Sequence, residues 1–469
     1  MSAVPLEVVE EVASRPETTP QLQPYPPAAA PALADPDTLE RPVRPHVHIS
    51  LNIRGLSQSS TLAINERSTR LEREGRKVFR MGLGQSPFPV PPPVVEALQA
   101  NAHQKDYLPV RGLDALREAV AVYHHRAQGI ERSANDVLIG PGSKELLFIL
   151  QLCFYGDLLV PSPSWVSYAP QAAIAGRQHR WIDTRREDGW RLTPEALDAV
   201  CRADPDRPRI LILNYPSNPL GVTYSPEQLL ALARVARRYG LVVLSDEIYG
   251  EVHHQGRHAS IARWYPEGTI ISGGLSKWAG AGGWRLGTFT FPPGLRGILD
   301  AMAVVASESY TSVSAPIQHA AITAFSGGPD MAEYLARSRR VLRQIGPAVA
   351  ARLRAAGCDL DDPEGGFYLF PDLSAFRERL AARGIHDARL LCERLLEDTG
   401  VAVLPGSDFG RAPAELCLRL AYVNFDGTRA LAGAASLDDG AVADASFLAE
   451  YCADSMAGIE RMAQWLEAL

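Results

Sequence analysis

The sequence predicts an α/β fold with a mostly parallel central sheet flanked by helices, and three observations support that prediction. Short apolar segments alternate with segments of helical periodicity through the middle of the chain. Several apolar segments are almost uninterrupted, as in Ile210–Leu213 and Leu241–Ser245, which is typical of strands buried on both faces of a sheet. Alternating strands and helices require crossover connections, and such connections produce parallel strands.

The order of elements follows from these segments. Helices are expected between the strands, most clearly over Pro226–Tyr239, where Ser225 can cap the start and Gly240 can end the last turn. In sheets of this kind ligands bind beyond the carboxyl ends of the strands, so functional residues should follow the strands directly. The predicted strands are Asp136–Ile139, Asp157–Val160, Arg209–Leu213, Leu241–Ser245 and Thr269–Ser272.

A second, smaller α+β domain is expected from segments on both sides of this region. Helical periodicity over residues 61–75 and a short strand at 78–81 come first. A long charged helix over 331–356 follows the central region, and the later predicted strands are 365–370, 401–404 and 416–422. We therefore assign residues 49–88 and 330–469 to a small domain and residues 89–329 to a large one. The stretch 433–445 is rich in Gly, Ala and Asp and is interpreted as a loop insertion before a final helix.

Residues 1–48 are rich in Pro, Ala and Glu, which predicts disorder. An arm that packs on a partner subunit is the alternative. Early acidic residues such as Glu7 and Glu10, and the lack of an apolar segment, argue against a secretory signal.

Composition excludes several classes of protein. The 469 residues carry a net charge of −7 and no long basic run, which argues against nucleic acid or an anionic membrane as the main partner. No stretch is long and apolar enough to span a bilayer. The six cysteines are scattered, without a CxxC pair, so we expect reduced thiols in a cytoplasmic protein and no metal site.

Lys277 is the strongest candidate for a catalytic residue. It follows the predicted strand Thr269–Ser272 and begins a glycine-rich stretch that reaches Arg285. A lysine that attacks a carbonyl must be held rigidly and kept partly unprotonated. A nearby guanidinium lowers the pKa of the amine by like-charge repulsion and also binds anions. A solvated surface charge is the commoner interpretation of a single lysine, so the other motifs decide.

Three further motifs follow predicted strands, and each has a structural alternative. Asp246 could pair with a protonated ring nitrogen or cap a helix. Asn218 could donate a hydrogen bond to a phenolate oxygen or belong to a tight turn. Gly142 and Ser143 open a helix whose free backbone N–H groups could bind a phosphate, although Gly-rich turns are common.

Two more residues are ambiguous when taken alone. Trp165, in the aromatic segment that ends at Tyr168, could stack on a flat cofactor ring, but core or interface packing is more frequent for a single Trp. Arg419 stands between apolar neighbours in a predicted strand. It could face inward and bind a substrate carboxylate, or face outward on an alternating strand.

In order and spacing, these motifs resemble the class I/II aminotransferases of the pyridoxal-phosphate fold type I superfamily, over roughly residues 50–469. The segments Pro163–Tyr168, Gly365–Asp372 and Pro405-Gly406 are most similar to the prokaryotic-type aspartate aminotransferases. The resemblance implies the fold type I architecture and pyridoxal 5′-phosphate as cofactor. It also implies ping-pong transfer of an amino group between an L-amino acid and a 2-oxo acid.

The resemblance also implies residue roles. Lys277 corresponds to the Schiff-base lysine and proton shuttle, and Tyr107 resembles the tyrosine that reaches the phosphate of the neighbouring subunit, so a homodimer is expected. The other implied cofactor ligands are Gly142, Ser143, Lys144 (through its backbone), Trp165, Asn218, Asp246, Tyr249, Ser276 and Arg285. The implied substrate ligands are Gly84, Arg419, Asn218 and Trp165.

Many members of the family have Ser or Thr, as a phosphate ligand, where this chain has Gly274. Either Ser276 or Ser272 compensates, or the phosphate has one contact fewer.

Substrate preference is the most open inference. Lys144 resembles a lysine that can approach a distal carboxylate, which favours aspartate or glutamate with 2-oxoglutarate; Arg111 is a second candidate and a solvated Lys144 is the alternative.

Three competing functions remain. One is a different reaction on this scaffold, such as a carbon–sulfur lyase or an elimination like that of aminocyclopropane-carboxylate synthase. Another is an aminotransferase for a specialised biosynthetic intermediate. The third, a non-enzymatic regulator, is disfavoured because the amino-terminal segment is short and not basic.

Overall fold

The structure is a computed structural model that describes residues 48–55, 60–438, 440 and 442–469. Residues 51–469 form one compact unit. The prediction of disorder for residues 1–48 falls, apart from His48, outside the described residues.

Helices are the more abundant regular structure in this unit. They are α1 (Ser60–Arg73), α2 (Pro92–Asn101), α3 (Asp114–Gln128), α4 (Ser143–Cys153), α5 (Tyr168–Ile174), α6 (Pro194–Arg202), α7 (Pro226–Arg238), α8 (Arg296–Ser307), α9 (Ala315–Ser326), α10 (Pro329–Ala355), α11 (Arg377–Ala382), α12 (Ala388–Thr399), α13 (Gly427–Gly433), α14 (Ala445–Tyr451) and α15 (Ala453–Glu467). The strands are β1 (Val137–Gly140), β2 (Asp157–Ser162), β3 (His179–Asp183), β4 (Arg209–Asn214), β5 (Val242–Asp246), β6 (Thr269–Gly274), β7 (Gly287–Thr290), β8 (Tyr368–Leu369), β9 (Leu404–Pro405) and β10 (Leu418–Ala421).

The central sheet has seven strands in the order β1-β7-β6-β5-β4-β2-β3. Five adjacent strands run parallel to one another: β6, β5, β4, β2 and β3. Strand β7 is antiparallel to both of its neighbours, β6 and β1. All five predicted strands are present, so the predicted mostly parallel sheet is confirmed. Sequence reasoning missed β3, whose side chains are mostly exposed, and β7, a four-residue strand after the glycine-rich stretch.

Alternate side chains of the central strands enter two separate cores. In β4, Ile210 and Ile212 pack into one core, whereas Leu211 and Leu213 pack into the other. Burying each such side chain contributes roughly 1.5–3 kcal/mol. Since helices cover both faces, the strands need apolar residues at every position, which explains their uninterrupted apolar character.

Helix α7 shows how local sequence sets the helix ends. The hydroxyl of Ser225 accepts a hydrogen bond from the Gln228 N–H at 3.3 Å, and the Gln228 side chain accepts one from the Ser225 N–H at 2.9 Å. Gly240 adopts a φ of +57° beyond the last turn. The predicted helix is confirmed and ends one residue earlier than expected.

A second, three-stranded antiparallel sheet has the order β8-β10-β9. The strands expected here were predicted too long, because β8 and β9 contain two residues each. In place of a strand at 78–81, Phe79 forms an isolated bridge with Val401. The long helix after the central region is confirmed as α10.

The described residues between α13 and α14 contain a short 3₁₀ turn at 434–436, in the segment expected to be a loop. None of the described helices is long and apolar enough to cross a membrane. The six cysteines form no disulfide. The domain boundaries at 88/89 and 329/330 stay a prediction.

Candidate active site

A cavity of about 630 Å³ opens at the carboxyl edge of the central sheet, a volume typical of small-molecule sites. It lies where the loops after β1, β2, β4, β5 and β6 meet the loop before α2 and strand β10. Eleven of the residues singled out from the sequence line it: Gly84, Ser143, Lys144, Trp165, Asn218, Asp246, Tyr249, Ser276, Lys277, Arg285 and Arg419.

Lys277 lies in the loop between β6 and β7. Its amine donates a hydrogen bond to the carbonyl oxygen of Gly84 at 2.6 Å. Burial lowers the pKa of Lys277 to about 8, and the positive charges of Arg419 and Arg285 act in the same direction. Roughly a tenth of the amine is therefore unprotonated at pH 7, far more than for an ordinary lysine, as a nucleophilic lysine requires.

Asp246 is the last residue of β5, and its carboxylate is 3% exposed. The Tyr168 hydroxyl donates to Oδ2 at 2.6 Å, and the Ser272 hydroxyl lies 3.2 Å from Oδ1. Burial raises the pKa of Asp246 above its ordinary value, although both hydrogen bonds oppose that shift. The sequence pointed to Asp246, but it gave no sign that Tyr168 and Ser272 would hold its side chain.

Asn218 and Arg419 meet in the wall of the cavity. Asn214, which was not predicted as a site residue, accepts a hydrogen bond from the Asn218 N–H at 2.7 Å and donates one to the Asp246 carbonyl at 2.9 Å. The Asn218 side-chain oxygen in turn accepts one from Arg419 at 3.2 Å. Asn214 therefore holds the ends of β4 and β5 in register, and this fixes Asn218 relative to Asp246.

Arg419, in β10, faces inward and is 3% exposed, which resolves the ambiguity in the sequence. Its guanidinium lies 4.8 Å from the ring centre of Tyr368 and 5.1 Å from that of Phe409. It also donates to the Gly82 carbonyl. Its Nε is buried and has no acceptor among the described residues. A buried cation with an unused donor is suited to an incoming anion.

Tyr368 is a site residue that sequence reasoning missed as an individual position. Its hydroxyl lies 2.8 Å from that of Tyr249 and 3.5 Å from the Gly84 carbonyl oxygen. A Cβ at Gly84 would collide with the Tyr368 hydroxyl. The glycine is therefore required for the close approach of the tyrosine. The quoted segment Gly365–Asp372 contained Tyr368, but no local pattern showed which side chain would reach the cavity.

An anion cradle is present at the start of α4. Gly142 has a φ of +91°, and a Cβ there would collide with the Arg285 guanidinium. Arg285 donates to the carbonyl oxygens of Gly282 at 2.9 Å and Pro141 at 3.2 Å. The amino end of α4 and this guanidinium thus face one region with positive potential.

Lys144 and Trp165 lie together on another side of the cavity. The Lys144 amine lies 5.2 Å from the Trp165 ring centre. Within the described part of the chain, no carboxylate forms an ion pair with Lys144. Burial lowers its pKa, and Arg285 adds to that effect.

The position of Gly274 explains why it has no side chain. Its φ is +149°, and a Cβ would lie 2.7 Å from the Leu286 carbonyl oxygen and 3.0 Å from the Gly287 Cα. Because Gly274 pairs directly with Gly287 across β6 and β7, a Ser or Thr would separate the two strands.

Tyr107 does not line this cavity. Its side chain is 90% exposed, on the segment between α2 and α3. Among the described residues, no group of His, Cys, Asp and Glu side chains is arranged to hold a metal ion.

Comparison with known families assigns the chain. The family model of class I and II aminotransferases matches residues 76–433. The chain belongs to the class I and II aminotransferases. It is therefore a transaminase that uses pyridoxal 5′-phosphate as its cofactor.

The aminotransferase is similar to curated and solved relatives over most of its length. The aspartate aminotransferase of Geobacillus stearothermophilus is 34% identical over 384 residues, which cover 80% of this chain and 94% of that enzyme. The aspartate/prephenate aminotransferase of Thermus thermophilus is 32% identical, over 77% of this chain and 91% of that enzyme. A solved structure of the Thermus thermophilus aspartate aminotransferase with maleate has a TM-score of 0.76 and 29% identity, over 89% of this chain and 100% of that chain.

The cavity of the aminotransferase fits pyridoxal phosphate at three points. The cradle of Gly142, Ser143 and Arg285 suits the phosphate, because it offers free N–H groups and a guanidinium. The buried carboxylate of Asp246 suits a protonated ring nitrogen, which would supply its missing counter-charge. Lys277 presents an amine of lowered pKa to the same cavity.

Proposed function

We propose that this aminotransferase moves the amino group of an L-amino acid of the aspartate or glutamate type to a 2-oxo acid such as 2-oxoglutarate, in two alternating half-reactions. The observation that supports this choice is the ammonium group of Lys144. It lines the cavity over Trp165 and has no carboxylate partner among the described residues. A substrate with a second carboxylate would supply that partner.

The residues that would hold the cofactor come from the carboxyl end of β5 and from the segments after β1, β2, β4, β5 and β6. Arg285, Gly142, Ser143 and the Lys144 backbone would bind the phosphate, with Ser276 nearby. Asp246 would pair with the ring nitrogen, and Trp165 would stack on the ring. Asn218 and Tyr249 would donate to the phenolic oxygen. For Tyr249 this requires its hydroxyl to direct the proton away from Tyr368.

Proton transfer would be the task of Lys277. When bound, pyridoxal phosphate supplies the carbonyl that takes up the amino group and a ring that stabilises the electron pair left when the Cα–H bond breaks. The Lys277 amine would take the proton from Cα and deliver it to C4′ of the cofactor. The Gly84 carbonyl, at 2.6 Å, holds the amine in place.

Arg419 would bind the α-carboxylate of every substrate. Its buried Nε lacks an acceptor among the described residues, and a carboxylate accepts two parallel hydrogen bonds from a guanidinium. Asn218, Trp165 and Gly84 would complete the substrate site. Arg111, the second candidate for a distal carboxylate, forms an ion pair with Asp300 and does not line the cavity. This favours Lys144.

A second candidate function has a specific observation in its favour. Leu83, Val166 and Ile248 also line the cavity and contribute apolar surface to it. This apolar surface favours an aminotransferase for a larger biosynthetic intermediate with an apolar or aromatic part. A carbon–sulfur lyase or an elimination enzyme would release ammonia or an elimination product instead of a 2-oxo acid, so product analysis distinguishes those reactions.

We also propose that the enzyme is a cytoplasmic homodimer with shared active sites. Tyr107 is highly exposed and lies away from its own cavity, which suits a residue that completes the phosphate site of a partner. Sedimentation should therefore show a dimer. A monomer with full activity would contradict this assignment.

An absorption spectrum of the purified protein tests the proposal. We expect a visible band from cofactor bound to Lys277. Glutamate and aspartate should convert it to a near-ultraviolet band more efficiently than alanine or phenylalanine. If phenylalanine were the best donor, the second candidate would replace the first. If no visible band formed even after pyridoxal phosphate was added, the assignment of Lys277 would fail.

A further inference from the structure

A second, much smaller cavity lies between β6 and α3, next to the active site. It measures about 30 Å³, which is room for one water molecule. Its wall includes Glu247, His258, Ser272 and Thr288, so a water there would have several hydrogen-bonding partners. The reaction proposed above uses neither Glu247 nor His258.

Glu247 is a buried carboxylate with a complete set of donors. The hydroxyls of Ser245 and Ser260 donate to Oε1 at 2.6 Å and 2.5 Å, and His258 Nε2 lies 2.8 Å from Oε2. The side chains of Glu247 and His258 are 8% and 9% exposed. Burial alone would raise the pKa of Glu247, but His258 and the two hydroxyls bring it below its ordinary value. Glu247 therefore carries a negative charge at neutral pH.

His258 has a ring nitrogen that a water in the small cavity would satisfy. Its Nδ1 is buried and has no hydrogen-bond partner among the described residues. Since Nε2 faces the Glu247 carboxylate, Nε2 donates to it, and Nδ1 is the ring nitrogen left without a partner among the described residues. Buried polar atoms are rarely left unpaired, and a water in the adjoining cavity would satisfy this one.

Ser272 connects this cavity to the active site. Ser272 is part of the small cavity's wall, and its hydroxyl lies 3.2 Å from Asp246 Oδ1. Glu247 directly follows Asp246 in the chain, and its N–H donates to the Ser272 carbonyl at 3.0 Å. A buried negative charge thus lies next to the carboxylate that faces the cofactor site.

We propose that Glu247, held by His258 and by the hydroxyls of Ser245 and Ser260, is a positioning residue whose negative charge helps to keep the bound cofactor ring protonated. This inference rests on the proposed role of Asp246. Glu247 does not line the active-site cavity and would act through its charge and through Ser272. The other ionisable groups around it are Tyr215 on the β4 side, Tyr123, His124 and Arg132 on the α3 side, and the Glu251–Arg339 pair.

The test is the pH dependence of the visible absorption of the resting holoenzyme. Negative charge near the cofactor favours the protonated form of its linkage to Lys277. Glu247→Gln keeps the shape of the side chain but removes its charge, so the pH midpoint of the absorption change should fall. We expect a fall of roughly one pH unit for the loss of a buried unit charge near the cofactor site. Glu247→Asp keeps the charge and should retain a midpoint close to that of the wild type.

A second variant changes the charge of the Glu247–His258 pair at the histidine. His258→Lys places a fixed positive charge against Glu247, so it should also lower the midpoint. The His258→Lys variant tests the role of Glu247 if Glu247→Gln does not fold. A merely structural role would weaken folding in both variants without moving the midpoint in a common direction.

Asp136→Asn is the matched control. Asp136 is also a buried carboxylate, bonded to Ser133 and Arg296, but it lies at the opposite edge of the same sheet, before β1. Its variant should keep the wild-type midpoint. Wild-type midpoints in Glu247→Gln and His258→Lys, or an equal shift in Asp136→Asn, would overturn the inference. A wild-type protein without a visible band would instead count against the proposed function.

Discussion

The hydroxyl of Tyr368 lies 2.8 Å from the hydroxyl of Tyr249, while the Tyr368 ring covers the Arg419 guanidinium at 4.8 Å. One side chain thus contacts both a proposed cofactor ligand and the proposed carboxylate ligand. A mutation can remove the Tyr368 hydroxyl and keep its ring, so the two contacts can be tested separately.

Tyr368→Phe should lower kcat several-fold and leave KM nearly unchanged. It keeps the ring over Arg419 but leaves the Tyr249 hydroxyl without its partner, and one hydrogen bond contributes about 1 kcal/mol. Steady-state kinetics with one amino donor measures both constants. Tyr422→Phe is the control, because that buried hydroxyl bonds to the Gly366 carbonyl outside the cavity. Equal losses in the two variants would assign Tyr368 a structural role only.

Arg419→Gln should raise KM for every amino donor by about 100-fold or more, since a charge-assisted bidentate contact contributes several kcal/mol. Half-reaction titrations with glutamate and alanine measure the effect. Arg411→Gln is a suitable control, because Arg411 also lies over an aromatic ring, that of Trp190, and pairs with Glu415. An Arg419→Gln enzyme with wild-type KM values would remove the assignment.

Lys144→Ala should raise KM for aspartate, glutamate and 2-oxoglutarate by about tenfold and have little effect on alanine, because only a second carboxylate needs the ammonium group. The ratio of kcat/KM for glutamate and alanine measures this preference. Lys77→Ala removes an exposed lysine that is already paired with Asp454 and should leave the ratio unchanged. A parallel loss for alanine and glutamate would exclude Lys144 as the specificity residue.

The amine of Lys277 has a pKa lowered to about 8, mainly by burial. Attachment of pyridoxal phosphate to the apoenzyme needs the free amine, so its rate should rise with pH and level off above about pH 8. Stopped-flow absorption measures that rate. A rate that still rises toward pH 10 would show an ordinary lysine. Arg419→Gln removes a positive charge and should move the midpoint upward.

Gly274→Ser should lower the thermal midpoint of unfolding by several degrees, because its Cβ would press on the Leu286 carbonyl and on Gly287. Differential scanning calorimetry of the holoenzyme measures this. Gly294→Ser places the same side chain where no atom lies within 4 Å and should change little. A stable Gly274→Ser protein would show that β6 and β7 can separate without cost.

The sequence allowed prediction of the large sheet and of most site residues, and the reason is local. Apolar runs in β2, β4, β5 and β6 are uninterrupted because each strand is buried on both faces. Edge strand β3 escaped prediction because its side chains are mostly exposed, and β7 escaped because its sequence Gly-Thr-Phe-Thr has no apolar run like that of β1. In the small sheet, β8 and β9 were predicted too long, because two residues are too few to define a periodic pattern.

What the sequence by itself determined is the class of fold and the set of chemical groups, because strand–helix periodicity and the residues that follow each strand are properties of contiguous segments. Only the tertiary structure decided how those groups meet. Asn218, in the loop after β4, and Arg419, in β10, share a hydrogen bond, and Tyr168 reaches Asp246 from the start of α5. The direction of a buried side chain depends on packing between distant segments, and no local pattern encodes it.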